Sequence, residues 1–152
     1  MADTRVQTEV ERWVRERWLP DEYGVEFHRT SVLLSCGGTH SFAAVSEDGR
    51  IAASISTSSA ITPNGKRGAG KLLKIRSDMY FLLLAEQLDK RLIVFTEPDM
   101  YELLEQERSY GRIPPSIEFR RVILPVNLAE RLGKARRVAS QEVTPGLGVP
   151  VT

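Results

Sequence analysis

The chain is poor in cysteine and in net charge, and each shortage excludes a class of protein. Cys36 is the only cysteine among 152 residues, so no internal disulfide can form, which is typical of a protein from a reducing compartment. Lysine and arginine number 21 and aspartate and glutamate 20, so the net charge is only +1. No global field then draws the protein onto nucleic acid or an anionic membrane, and any electrostatic binding site must be a local patch.

Long apolar runs are also lacking. The run Tyr80–Ala85 is far too short for a bilayer, which a helix of about 20 apolar residues spans. Charges at Asp3, Arg5 and Glu9 interrupt the beginning of the chain, where a signal peptide would have an apolar stretch. We therefore expect a cytoplasmic protein with no membrane partner.

The composition, with 41% hydrophobic and 27% charged residues, is that of an ordinary globular domain. We expect one domain over residues 1–140, because this length buries a substantial core. Residues 141–152 hold two prolines and two glycines and predict a flexible tail.

Hydrophobic periodicity predicts four helices and five strands in the order α-β-β-β-α-β-α-β-α. This order indicates a mixed α/β (α+β) fold, with a central mixed sheet of about five strands flanked by helices. A helix separates the last two strands, which favours their parallel pairing through a right-handed crossover. We expect Pro20 to end the first helix. The predicted helices are 3–18, 70–88, 99–109 and 127–138, and the predicted strands are 25–35, the two arms of a hairpin over 42–59, 91–96 and 117–124.

The hairpin Phe42–Ser59 is the most informative stretch. Four apolar residues, Phe42 to Val45, lead into a turn at Ser46–Gly49, and the second arm alternates with period two. Its setting in the element order resembles the core of the PD-(D/E)xK nuclease superfamily, the restriction-endonuclease-like fold, over about residues 3–124. This resemblance implies a metal site with one acid early in the second strand and an acid-x-Lys triplet in the third.

The positions that the resemblance implies for those groups are Ala43, Ser54 and Ser56. A methyl group and two hydroxyls cannot hold a divalent metal, which needs several charged oxygens. The resemblance therefore implies a degenerate member with no catalytic residues, no metal and no cofactor, which binds or scaffolds and does not cut. The resemblance predicts that these three positions converge in one cleft near Lys71.

A basic loop and helix start follow the hairpin. Five cations and no acid lie between Thr62 and Ser77, and they could contact the phosphates of DNA or RNA. The alternative is a solvated surface whose cations balance acids elsewhere. The five candidate phosphate-binding residues are Lys66, Arg67, Lys71, Lys74 and Arg76.

The same loop matches the first part of a phosphate-binding P-loop. Gly65–Lys71 fits G-x-x-x-x-G-K, but Leu72 occupies the position where serine or threonine would hold magnesium. A nucleotide-binding P-loop protein therefore stays open as a less favoured alternative.

The remaining reactive residues give no strong pattern. His28 and His40 have no partners at zinc-site spacing, and we expect His28 to be partly buried in a strand and Cys36 to be a small buried residue. Glu47 and Asp48 are expected to make the hairpin turn. Three function classes remain: a nucleic-acid-binding module, a structural or homo-oligomeric interaction protein, and an atypical nuclease or P-loop enzyme.

Overall fold

Five strands form one mixed sheet in sequence order. A computed structural model describes residues 4–61 and 68–143, of which residues 139–143 are described as backbone only. The first two neighbouring pairs of strands are antiparallel and the last two are parallel, so the pairing changes from antiparallel to parallel at β3. The strands are β1 (Phe27–Leu33), β2 (Thr39–Ser46), β3 (Ile51–Ser56), β4 (Lys90–Phe95) and β5 (Ile117–Arg121).

The predicted α/β class, the element order and the parallel pairing of the last two strands are confirmed. None of the helices within the described ranges is long and apolar enough to cross a membrane. The helices are α1 (Arg5–Trp13), a π-helical segment (Val14–Trp18), α2 (Leu19–Tyr23), α3 (Ala69–Leu84), α4 (Pro98–Ser109) and α5 (Val126–Val143).

The expected end of the first helix at Pro20 is wrong. The chain stays helical through the π-helical segment and α2. The helix ends at Gly24, whose φ of 73° lies in the left-handed region. In the π-helical segment the N–H of Leu19 donates to the carbonyl of Val14, a bond across five residues. This wider turn shifts the carbonyls that a proline ring would otherwise clash with.

Each face of the sheet carries its own core. The helices α3 and α4 cover one face with Ile75, Met79, Met100 and Leu104. The helices α1 and α5 cover the other face with a second set of buried apolar side chains, which includes Val10. β3 gives alternate residues to the two cores, and its central alanines let both helix layers pack closely on it. The alternation puts Ala52 in the first core and Ala53 in the second.

Two helix ends differ from the sequence prediction. α3 ends at Leu84, four residues early, and the guanidinium of Arg91 binds carbonyls at the end of the helix and in the loop that follows. Its Nε, Nη1 and Nη2 donate to the carbonyls of Leu82, Leu88 and Ala85 at 2.8, 3.2 and 2.7 Å. α5 continues to Val143, so residues 141–143 of the predicted tail are helical, and residues 144–152 lie outside the described residues.

A candidate anion-binding cleft between two strands

A cleft of about 380 Å³ opens where β2 and β3 separate. In the described structure these strands pair only at Ala44–Ala53 and Val45–Ala52. By contrast, β3 pairs with β4 at six positions, up to Ser56. The last residues of β3 therefore have a strand on one side and the cleft on the other.

A β-bulge in β2 lies where this pairing ends. His28 pairs with Val45 and Thr30 with Phe42, so two residues of β2 lie opposite one of β1. A bulge bends its strand and increases the local twist, which accounts for the separation of β2 from β3. The two residues are Ala43 and Ala44, and the single residue opposite them is Arg29.

The bulge is held by the π-helical segment. Nη1 of Arg15 donates to the carbonyl of Ala43 at 3.1 Å. Both bulges and π-helical turns concentrate near functional sites, and here the two irregularities meet at the rim of one cleft.

The three positions singled out by the nuclease resemblance converge in this cleft. Ala43, Ser54 and Ser56 all line it, and so does Lys71. Ser54 is 7% exposed, and neither its hydroxyl nor that of Ser56 makes a hydrogen bond with another described residue. These two hydroxyls are therefore available to a ligand in the cleft.

Helices α1 and α3 form the two walls. Glu11 comes from α1, and Lys71, Lys74 and Asp78 come from one face of α3. Nζ of Lys74 lies 3.2 Å from Oδ2 of Asp78, with the lysine side chain 72% exposed, so the pair is weak and easily exchanged for a ligand. Lys71 has no ion pair with any described residue.

Sequence patterns did not identify every residue that lines the cleft. Arg29 lines the cleft from β1 because the bulge places it opposite Ala43 and Ala44. His40 also lines it, and its ring stacks on that of Phe81 with centroids 4.0 Å apart and planes 6° apart. For Asp78, the signal in the sequence was its i, i+4 spacing from Lys74, which puts both residues on one helix face.

Of the other predicted phosphate-binding residues, the structure describes only Arg76, which does not line the cleft. Arg76 forms an ion pair with Glu107 at 3.0 Å, and Glu107 also pairs with Arg112 at 3.0 Å. Lys66 and Arg67 lie outside the described residues. Within the described part of the chain, the basic site therefore comprises Lys71 and Lys74, joined by Arg29.

Two further expectations are wrong. His28 and Cys36 are both exposed, whereas partial or full burial was expected. His28 lies near the beginning of β1, an edge strand of the sheet, and Cys36 is in the turn between β1 and β2. The expectation for Asp48 is confirmed, because its carboxylate accepts hydrogen bonds from Ser46 and from the N–H of Arg50.

Comparison with known proteins gave no relative for this chain: no family model matches it, and no curated protein or solved structure is significantly similar to it.

Proposed function

We propose that the chain is a binding module of nuclease-like fold, which holds the phosphate backbone of nucleic acid in the cleft between β2 and β3 without cutting it. One observation carries the proposal. Ser54 and Ser56 lie in one cleft with Lys71 and Lys74, at the place where the resemblance implies catalytic groups.

The chemistry of the cleft suits a phosphate group. Phosphate oxygens are hydrogen-bond acceptors, and serine hydroxyls and lysine ammonium groups can all donate to them. The cleft lies at the carboxyl end of β3, the usual place for ligands in sheets with parallel strands. The first turn of α3 contains no acid, so the positive end of the helix dipole there adds to the charge of Lys71.

The charges of the lining favour an anion by a small margin. Arg29, Lys71 and Lys74 oppose Glu11 and Asp78, which leaves one net positive charge among the lysine, arginine and acidic side chains of the lining. This local excess does not depend on the near-zero charge of the whole chain. Binding should therefore be sequence-independent and sensitive to salt.

A divalent metal of the kind implied by the nuclease resemblance does not fit the residues at these positions. Ala43, Ser54 and Ser56 offer a methyl group and two neutral hydroxyls, whereas such ions take several carboxylate oxygens. The two carboxylates that do line the cleft, Glu11 and Asp78, come from helices on opposite sides of it.

The test is fluorescence anisotropy with labelled mixed-sequence single strands and duplexes at low salt. The variant Lys71→Glu/Lys74→Glu should abolish binding, and Lys71→Gln/Lys74→Gln should lower the slope of log K against log salt by about 1.8 on duplex, or about 1.4 on single strands. The matched control is Arg17→Glu/Lys134→Glu, which changes the net charge equally at exposed positions outside the cleft lining.

Equal loss of binding in the two charge-reversal variants would contradict the proposal, since net charge alone would then explain it. The absence of any binding at low salt would also contradict it. Incubation of the protein and the same strands with Mg²⁺ or Mn²⁺ should give no cleavage product. A cleavage product that disappears in the Glu11→Gln variant would overturn the proposal that the protein binds nucleic acid without cutting it.

An interaction role is the second candidate, and the outer surface of α3 favours it. Leu73 and Tyr80 are 63% and 58% exposed, and their spacing of seven puts them on one stripe, opposite Lys71. Light scattering at high protein concentration should show a dimer that Leu73→Glu/Tyr80→Glu dissociates. A monomer at every concentration would remove the homo-oligomer.

A further inference from the structure

Three metal-binding side chains lie together at the end of the sheet opposite the cleft. They are Glu26, His28 and Glu47, and one ligand atom from each lies within 4.8 Å of the other two. All three residues are exposed. Their position follows from the strand pairing, because β1 begins beside the β2–β3 turn, whereas the cleft lies at the carboxyl end of β3.

Strand pairing fixes the relative positions of the three residues. Phe27 pairs with Ser46, so Glu26 and Glu47 are the next residues across the two strands. The N–H of Glu47 donates to the carbonyl of Glu26 at 2.8 Å. His28 is two residues further along β1 and points to the same side of the strand as Glu26.

The turn that carries Glu47 is held by its own hydrogen bonds. Oγ of Ser46 donates to Oδ1 of Asp48 at 2.6 Å and accepts from the N–H of Ile51 at 2.9 Å. Gly49 has a φ of 75°, a conformation that glycine adopts without strain. The backbone on both sides of Glu47 is therefore set before any ligand binds, which favours a site built on rigid elements.

The described residues do not balance the charges of Glu26 and Glu47. Like charges directly opposite each other on neighbouring strands destabilise a sheet. Among the described residues, no lysine or arginine forms an ion pair with Glu26 or Glu47, and neither carboxylate accepts a hydrogen bond. A bound cation would remove this repulsion, and the adjacent His28 adds a ligand that a purely acidic surface patch does not have.

We propose that Glu26, His28 and Glu47 form a binding site for a divalent first-row transition ion, with Zn²⁺ as the probe. The imidazole nitrogen favours such an ion over Mg²⁺ and Ca²⁺, which take oxygen ligands. Ligand atoms at about 2.1 Å from Zn²⁺ lie about 3.4 Å apart in a tetrahedron, and small rotations of three exposed side chains reach that spacing from 4.8 Å or less.

Three protein ligands leave a position open for water or for a further ligand. The ion would tie the beginning of β1 to the β2–β3 turn, and it would stabilise the folded chain because the unfolded chain does not hold the three groups together. The proposal is independent of the cleft and its ligand.

The experiment is calorimetric titration of the full chain with ZnCl₂, in a Cys36→Ser background that removes the exposed thiol as a competing ligand. We expect one ion per chain. His28→Ala and Glu47→Gln should each weaken binding about a hundredfold or more, since loss of a group that only supports a metal ligand already costs about tenfold to a hundredfold. Glu86→Gln, an exposed acid elsewhere, should leave binding unchanged.

Thermal unfolding of the same variants gives a second readout. Zn²⁺ should raise the midpoint of the Cys36→Ser parent and of Glu86→Gln, and should not raise that of His28→Ala. Zinc binding that is equal in the parent and in His28→Ala would overturn the proposal. So would Mg²⁺ binding as tight as that of Zn²⁺, because it would indicate a simple acidic patch.

Discussion

Replacing Arg15 with methionine tests whether the bulge at the rim of the cleft depends on the π-helical segment. Nη1 of Arg15 donates to the carbonyl of Ala43 at 3.1 Å in a half-buried setting. Methionine keeps most of the aliphatic side chain that packs there and removes the donor. The carbonyl of Ala43 then loses a hydrogen bond from a charged group at the point where β2 departs from regular pairing.

The size of the effect follows from that one hydrogen bond. A hydrogen bond to a charged group contributes about 1.5–3 kcal/mol net, and the partial burial of this one favours the middle of that range. We therefore expect Arg15→Met to lower the free energy of unfolding by about 2 kcal/mol. In a domain of this size that loss corresponds to a fall in Tm of about 4–8 °C.

The assay is urea and thermal unfolding followed by circular dichroism. The control is Arg17→Met, because Arg17 lies in the same π-helical segment, is exposed and has no partner among the described residues. Its effect should stay within about 0.5 kcal/mol. If both variants lose the same stability, the charge of the segment matters and the hydrogen bond to Ala43 does not, and the reasoning is refuted.

Two further changes test other parts of the fold. Arg91→Met removes three hydrogen bonds of 2.7–3.2 Å to carbonyls at the end of α3 and in the loop after it. In urea unfolding this should cost about 3 kcal/mol, whereas the exposed Lys90→Met should change little. A loss below about 1 kcal/mol for Arg91→Met would contradict this. The hydrogen bond from the hydroxyl of Ser46 has the largest effect on the pKa of Asp48, and together with the bond from the N–H of Arg50 it lowers that pKa from its ordinary value of 3.8. The unfolded state therefore binds more protons than the folded state in acid. The stability that Asp48 contributes should be full above pH 3.8 and should be lost as the pH falls through the lower folded pKa. The Tm values of the wild type and of Asp48→Asn should therefore converge in acid. A difference in Tm that stays constant with pH would show that the carboxylate of Asp48 does not hold the turn.

The sheet could be predicted from the sequence because its signals are local. Leu92–Phe95 is a continuous apolar run, and all four residues are buried in β4, as expected for a strand covered on both faces. The turn between β2 and β3 follows from Asp48 and Gly49, whose chemistry suits a tight turn without reference to the rest of the fold.

The cleft could not be predicted in the same way, because it depends on a change of register. Register is read from the alternation of apolar and polar residues, and Ala43 and Ala44 give no alternation, since a methyl group fits either face. The bulge therefore leaves no trace in the sequence. The grouping of Glu47 with His28 is hidden for a related reason, because it depends on which residues face each other across two strands.

The side chains at the three positions that the nuclease resemblance singles out decide which ligand the cleft suits. With an acid at Ala43, an acid at Ser54 and a lysine at Ser56, the lining would lose its net positive charge, and two carboxylates would repel a phosphate unless a metal lay between them. With a methyl group and two hydroxyls, the serines can donate to phosphate oxygens directly, and the charge of Lys71 is not cancelled. The proposed absence of catalysis and the proposed binding of phosphate thus follow from the same three side chains.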